Sequence, residues 1–213
     1  MTMLQPSYFE RADESTDEQF YRQPRFVTHI DDAAIAAVTQ LYRDYFPADG
    51  AILDLMSSWV SHLPPEIAYQ RVAATGMNEA ELKGNPRLTE YVVQNLNANP
   101  ILPFADNSFD GAAICVSVQY LTQPVPVFRE IGRVLKPGAP LVVSFSNRCF
   151  PTKAVAIWQS LDDRGHCRLV ERYFHEAATW DAVTILDGSP RRWGSDPLFA
   201  VVGRKTELPP PRT

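Results

Sequence analysis

The stretch ILDLMSSWVSHL (52–63) gathers an acid, several hydroxyls and a histidine in one short run. Ile52 to Leu55 read as a buried strand carrying Asp54 near its end, and such a strand end commonly opens into a nucleotide-binding loop. A loop of that kind turns on glycines so that its backbone can approach a ligand. Here Met56, Ser57, Ser58 and Trp59 follow instead. Ser57 and Ser58 are small and can offer hydroxyl hydrogen bonds. His62 is a candidate general base, with a helix-surface histidine as the plain alternative. His29, in YRQPRFVTHID, is a second candidate base, with a capping or packing role as its alternative. Asn147 and Arg148, in SFSNRCFPTK, are expected to meet a polar or anionic substrate group; for Arg148 the alternative is a pair with a surface acid. His166 and His175 read as members of a surface helix without a role. The three cysteines lie far apart with no CxxC pair and no Cys/His cluster, so no metal site is expected. Cys115 stands in an apolar run and reads as a buried, inert thiol.

These residues need elements to hold them. Strands are expected at 51–55, 71–75, 90–96, 111–118, 140–146, 181–188 and 197–205. Helices are expected at 30–46, 78–85, 126–135, 152–161 and around 168–177, the first capped by Asp31 or Asp32. The alternation predicts an α/β fold in three layers, helices on both faces of a seven-stranded, mostly parallel sheet. Only GSPRRWGSD separates the last two strands, too little for a crossover, so they should pair antiparallel. Residues 1–47 read as an N-terminal helical cap, 48–206 as the main domain and 207–213 as a flexible Pro-rich tail. Tyr21, Phe26 and Tyr42 are candidate lid aromatics, with core packing as the commoner alternative at such spacings.

The chain has 213 residues, and its 45% hydrophobic content is enough for a sizeable core. Its net charge of −5, without a basic run, argues against nucleic acid as partner. No apolar stretch is long enough to span a bilayer. The N-terminal residues lack a basic-then-apolar leader pattern. The expectation is therefore a protein of the reducing cytoplasm acting on small molecules, with its oligomeric state undetermined.

The segment LPFADNSFDGAAICVSVQYLTQPVPVFREIGRVLKPGAPLVVSFSNR (102–148) closely resembles the small-molecule class I methyltransferases that use S-adenosylmethionine, in particular their quinone-biosynthesis-like branch. LPF-A-D-N-SFD leads into that family's fourth strand, and F-x-E-x-x-RVLKPG joins its fourth helix to the fifth, with Ala139 where a second glycine is usual. The resemblance extends over about 48–204 and implies a Rossmann-like methyltransferase fold. Much of the matching segment is scaffold.

The family's first loop has the form acid-x-Gly-x-Gly-x-Gly. Asp54 matches the acid, while the glycines fall on Met56, Ser58 and Val60, a degenerate motif. The loop resembles a form, DLMSSW-x-SHLP with SFSNR-x-FPTKA downstream, of a divergent subfamily. Where the family places an acid for the ribose hydroxyls, this sequence has Gly76, with Asn78 and Glu79 nearby. Where it places an acid for the adenine amine, Asn95 and Leu96 stand. The resemblance implies S-adenosylmethionine as cofactor, contacted by Asp54, Met56, Ser57, Ser58, Gly76, Asn78, Glu79, Asn95 and Leu96, with Ser117, Gln119 and Tyr120 from the fourth strand's end. Two readings remain: methyl transfer to a small molecule through a remodelled site, or a methyltransferase-like protein that has lost the cofactor and binds a metabolite or a partner.

Overall fold

The computed structural model describes residues 4–207. Seven strands form one sheet: β1 (Ala51–Leu55), β2 (Arg71–Gly76), β3 (Glu90–Val93), β4 (Gly111–Cys115), β5 (Pro140–Phe145), β6 (Trp180–Asp187) and β7 (Phe199–Lys205). Their order is β3-β2-β1-β4-β5-β7-β6, with β7 antiparallel to both of its neighbours and all other pairs parallel. The expected three-layer fold and antiparallel final pair are both present.

Burial explains why these segments are strands. Every residue of β1 and β5 is buried, as the continuous apolar runs require of strands covered on both faces. Leu53, Leu55, Leu141 and Val143 face one core with Phe109 from the approach to β4, Phe128 and Ile131 from α4 (Pro124–Val134), and Tyr173 and Phe174 from α6 (Asp163–Ala177). Ile52, Ala113 and Val142 face the other, under Ala34, Val38 and Tyr42 of α2 (Asp32–Tyr45). Asp54 shares its side of β1 with Ile52, because side chains alternate along a strand. The acid is thereby sent to the α2 side of the sheet.

Several boundaries differ from expectation. β3 stops at Val93 because Asn95 turns the chain, its Oδ1 accepting from Asn97 N–H at 2.9 Å. β4 stops at Cys115 because Val116 adopts a left-handed backbone, φ 53° being taken by Met56 and 49° by Val116 at the two facing strand ends. The helix expected over 152–161 is a single turn, α5 (Ala156–Gln159). The one expected around 168–177 starts earlier, at Asp163, capped by Asp162 Oδ1 on Gly165 N–H at 2.8 Å. His166, read as a surface residue, is buried in it: its ring stacks on Trp158 at 4.0 Å and its Nε2 lies 2.8 Å from the Trp158 carbonyl. Of the candidate lid aromatics, Tyr42 takes the core alternative and is fully buried against the sheet. Helical spacing alone does not say which face of a helix meets the core.

The N-terminal segment crosses the carboxyl ends of the strands as a strap. It contains the single turn α1 (Asp17–Phe20). Lys153, fully buried, fastens it by donating to the Asp13 and Ser15 carbonyls at 3.1 and 2.5 Å, with the Asp13 and Asp17 carboxylates at 3.5 and 3.7 Å. Asp17 also accepts from Arg11 at 2.6 Å and from Asn97 at 2.9 Å. The third helix, α3 (Glu79–Gly84), abuts the same strap. A buried ammonium without its partners is strongly destabilising, and so is the reverse deletion. Lys153→Met should therefore lower unfolding free energy by ~3 kcal/mol in urea denaturation, with faster proteolysis within residues 11–30. Unchanged stability and cleavage would show that the strap is held by its aromatic contacts instead.

Candidate active site

β1 and β4 are neighbours from which the chain leaves in opposite directions, which makes their carboxyl ends the switch point where open α/β sheets bind ligands. A cavity of about 310 Å³ lies there, roofed by the strap. Its floor is Asp54 to Ser58 and Cys115 to Ser117; its roof includes Asp17, Tyr21, Arg25 and His29; Leu96, Asn97, Tyr120 and Leu121 close one side, and Arg148 to Phe150 another.

The β1 loop turns without glycine. Met56 takes a left-handed backbone at φ 53°, a conformation that costs a side-chain-bearing residue of order 1 kcal/mol. Ser57 N–H then donates to the Thr75 carbonyl at 2.7 Å, folding the loop onto β2. Met56 lines the cavity while packing against the core. Trp59 turns away: its Nε1 donates to the Val27 carbonyl at 3.0 Å and its ring meets Phe26 edge-on. The bulky residues of the loop therefore leave the cavity open.

Two buried carboxylates face this space. Asp54 accepts from Ser57 Oγ at 2.6 Å. Burial pushes its pKa up to about 6, against the hydrogen bonds from Ser57 and Ser61 that lower it. Glu81, on the first turn of α3, accepts from Ser58 Oγ at 2.7 Å and from the Arg25 backbone N–H at 2.6 Å. The same burial pushes the Cys115 thiol up to about 11 and keeps it protonated at neutral pH. Both candidate bases line the cavity. Desolvation lowers the pKa of His62, and lowers that of His29, whose ring meets Phe150 at 5.3 Å. Both imidazoles are thus biased toward the neutral form that can accept a proton.

The other residues singled out from sequence divide. Ser57, Ser58, Asn78, Leu96, Ser117, Tyr120 and Arg148 line the cavity. Gly76, Glu79, Asn95, Gln119 and Asn147 lie outside its lining. A Cβ on Gly76 would sit 2.5 Å from the Ser57 carbonyl oxygen and 2.9 Å from Leu82, so the loop itself covers this position. Glu79 is exposed, and Asn147 likewise. Asn95 donates to Glu18 at 2.8 Å, and Gln119 to the Val116 carbonyl at 3.0 Å. Asn78 caps α3 through Oδ1 and donates through Nδ2 to the Tyr21 and Arg22 carbonyls. Arg148 is paired with an acid after all, Asp196 at 2.8 Å, although that acid is buried. Glu81, Arg25 and Asp17 were not picked out from sequence. Asn78-x-x-Glu81 has the form of a capping box, in which the acid would reach back to its own helix; the strap diverts Glu81 instead.

The residues present suit an adenosyl sulfonium ligand in part. A desolvated carboxylate suits a cation, a buried Glu with unused lone pairs suits hydroxyl donors, and the apolar walls exclude water. The position of the ribose acid is closed by the Ser57 carbonyl.

Comparison with known proteins agrees with this architecture. Residues 60–143 match a family model described as a methyltransferase domain. The demethylmenaquinone methyltransferase of Corynebacterium kroppenstedtii is 34% identical over 104 residues, 41% of this chain and 45% of that protein. A ubiquinone/menaquinone biosynthesis C-methyltransferase of Klebsiella pneumoniae is 38% identical over 82 residues, 34% of this chain and 32% of that protein. The matched stretches thus span less than half of these relatives. Among solved structures, the geranyl diphosphate C-methyltransferase of Streptomyces coelicolor aligns with a TM-score of 0.60 at 14% identity, over 89% of this chain and 97% of that one. The cyclase SpnF aligns at 0.61 and 16%, over 90% and 92%. At that identity the likeness is one of fold, and the fold is shared by a methyltransferase and a cyclase alike. Taken together, strand order, matched domain and sequence relatives show a chain similar to the class I S-adenosylmethionine-dependent methyltransferases, and to their quinone-biosynthesis-like branch in particular.

Proposed function

We propose that the protein binds S-adenosylmethionine in the switch-point cavity and transfers its methyl group to a small-molecule acceptor. One observation carries the reading. The altered loop still ends in an open, desolvated cavity, with Asp54 and Glu81 inside it and Trp59 outside. When bound, the sulfonium cofactor supplies an already activated methyl group. The chain's own residues then have three tasks. Asp54 holds the cofactor's ammonium group, Leu55, Leu96, Leu121 and Phe150 exclude water, and the strap aligns the acceptor. Where the acceptor must lose a proton, His62 or His29 receives it, burial favouring the neutral, proton-accepting form of each. A chain of net charge −5 without a basic stripe suits a small acceptor rather than nucleic acid. In the same reading the protein works in the cytoplasm, with residues 1–47 acting as a cap on the domain of 48–206.

The second reading, a cofactor-free binding module, is favoured by the Ser57 carbonyl over Gly76 and by the strap's hold on Asn78 and Asn95. Calorimetric titration with S-adenosylhomocysteine and S-adenosylmethionine separates the two. Methyl transfer predicts micromolar binding of both; no heat at millimolar ligand selects the module.

Asp54 gives a test with opposite signs. Its pKa is raised from the usual 3.8 to about 6, so ionisation opposes the ligand-free fold. That fold loses stability as pH rises from about 4 to about 6, and the deficit of ~3 kcal/mol persists above. Asp54→Asn keeps an acceptor for Ser57 and should raise the melting temperature at pH 8, while weakening S-adenosylhomocysteine binding about tenfold or more. In the unaltered protein, affinity should fall as pH drops below about 6. A less stable, equally tight-binding variant contradicts the role given to this acid.

Gly76→Asp restores the family's acid in sequence only. Because the obstruction is backbone, this variant should lose stability and gain no affinity for S-adenosylhomocysteine, as thermal unfolding and titration would read.

A further inference from the structure

Arg25 stands at the roof of the cavity with an unusual balance of contacts. Its guanidinium carbon lies 4.7 Å from the centre of the Phe20 ring, 5.3 Å from Phe150 and 5.7 Å from Tyr21. Its Nη2 donates to the Phe20 carbonyl at 2.9 Å. Its Nη1 is buried and has no hydrogen-bond partner among the described residues. Aromatic rings attract the face of a guanidinium. They cannot accept its N–H groups, which lie in the plane. No carboxylate of the described residues pairs with it: Glu81 is bonded to the Arg25 backbone, and Arg148, the cavity's other arginine, is paired with Asp196. A buried donor left unmade costs free energy that a native fold rarely leaves uncompensated.

We infer that Arg25 is the anchor for a carboxylate of a bound small molecule, a group whose planar pair of oxygens matches the guanidinium fork. The inference rests on the small-molecule reading above. It deepens that reading by assigning a partner to an anionic group of a ligand whose cationic group faces Asp54. The carboxylate has two available sources: the amino-acid end of the cofactor, or an acceptor lying between the rings of Phe20, Tyr21 and Phe150.

The test is titration of the full chain and of Arg25→Gln and Arg25→Lys with three kinds of probe. S-adenosylhomocysteine and 5′-methylthioadenosine share a nucleoside and differ in the amino-acid end. Benzoate and benzamide share a ring and differ in charge, and are titrated onto protein saturated with S-adenosylhomocysteine. If the cofactor supplies the group, Arg25→Gln weakens S-adenosylhomocysteine roughly tenfold to a hundredfold and leaves 5′-methylthioadenosine unchanged. If the acceptor does, S-adenosylhomocysteine is unaffected, benzoate binds more tightly than benzamide, and the variant abolishes the difference. Arg25→Lys keeps the charge without the fork and should fall between the two. Equal weakening of charged and uncharged probes, or no weakening of any, overturns the inference. If the unaltered protein binds no S-adenosylhomocysteine, the cofactor reading fails on its own. Benzoate on the free protein then decides this one: a preference over benzamide that Arg25→Gln removes sustains it, and the lack of one overturns it.

Discussion

Ser57 folds its backbone down onto β2, donating its N–H to the Thr75 carbonyl at 2.7 Å and holding its own carbonyl where a Cβ on Gly76 would come within 2.5 Å. This contact decides the character of the site. With the loop lying on β2, the end of that strand has no room for a side chain. The acid facing this side of the cavity comes instead from α3, where Glu81 reaches Ser58 and the strap. A glycine-rich loop approaches its ligand by having no side chains in the way. This loop makes room by turning Trp59 outward and placing Met56 along the core. A β1 loop without glycines and a β2 end without a side chain are then two aspects of one arrangement.

The strap belongs to the same arrangement. Polar side chains at the ends of β2 and β3, which elsewhere in such a fold could face a ligand, here bind the chain: Asn78 holds the Tyr21 and Arg22 carbonyls, Asn95 holds Glu18 and Asn97 holds Asp17. Lys153 completes the fastening from the segment after β5. A roof held by buried charge and many backbone acceptors opens only if several of these bonds break together. Such cooperative units open on slower timescales than surface loops do.

How much of this was legible in the sequence follows from the range of the interactions involved. β1, β4 and β5 were readable because burial on both faces leaves short apolar runs of strand length bounded by turn signals. The antiparallel end was readable from loop length alone. The cavity's floor was partly readable, since Asp54, Ser57 and Ser58 sit beside a strand end by adjacency in the chain. Glu81, Arg25 and Asp17 were not, because each owes its place to a partner far away in sequence: Glu81 to Arg25, Arg25 to Phe150, Asp17 to Asn97. Gln119 and Asn147 were chosen by proximity to a strand's end, but Gln119 is buried on the Val116 carbonyl and Asn147 is exposed. His166 was misread because a helix pattern does not reveal which polar residue a tryptophan will cover.

The charges of the cavity, taken one by one, do not cancel within the protein. Asp17 is matched by Arg11 and Lys153. Asp54 has only hydroxyls around it, and burial raises its pKa as expected of a carboxylate without a cation. Glu81 has a hydroxyl and a backbone N–H. Arg25 has rings and a carbonyl. Two acids and one base are therefore desolvated without ionic partners inside one enclosed space. A fold tolerates that only where other interactions compensate, and residues held in this way gather at sites that bind. A neutral, apolar molecule would leave all three groups unpaired. A ligand with a cationic group toward Asp54 and an anionic group toward Arg25 would pair both, with Glu81 free to accept from its hydroxyls, so the electrostatics of the cavity favour a zwitterionic occupant over an apolar one.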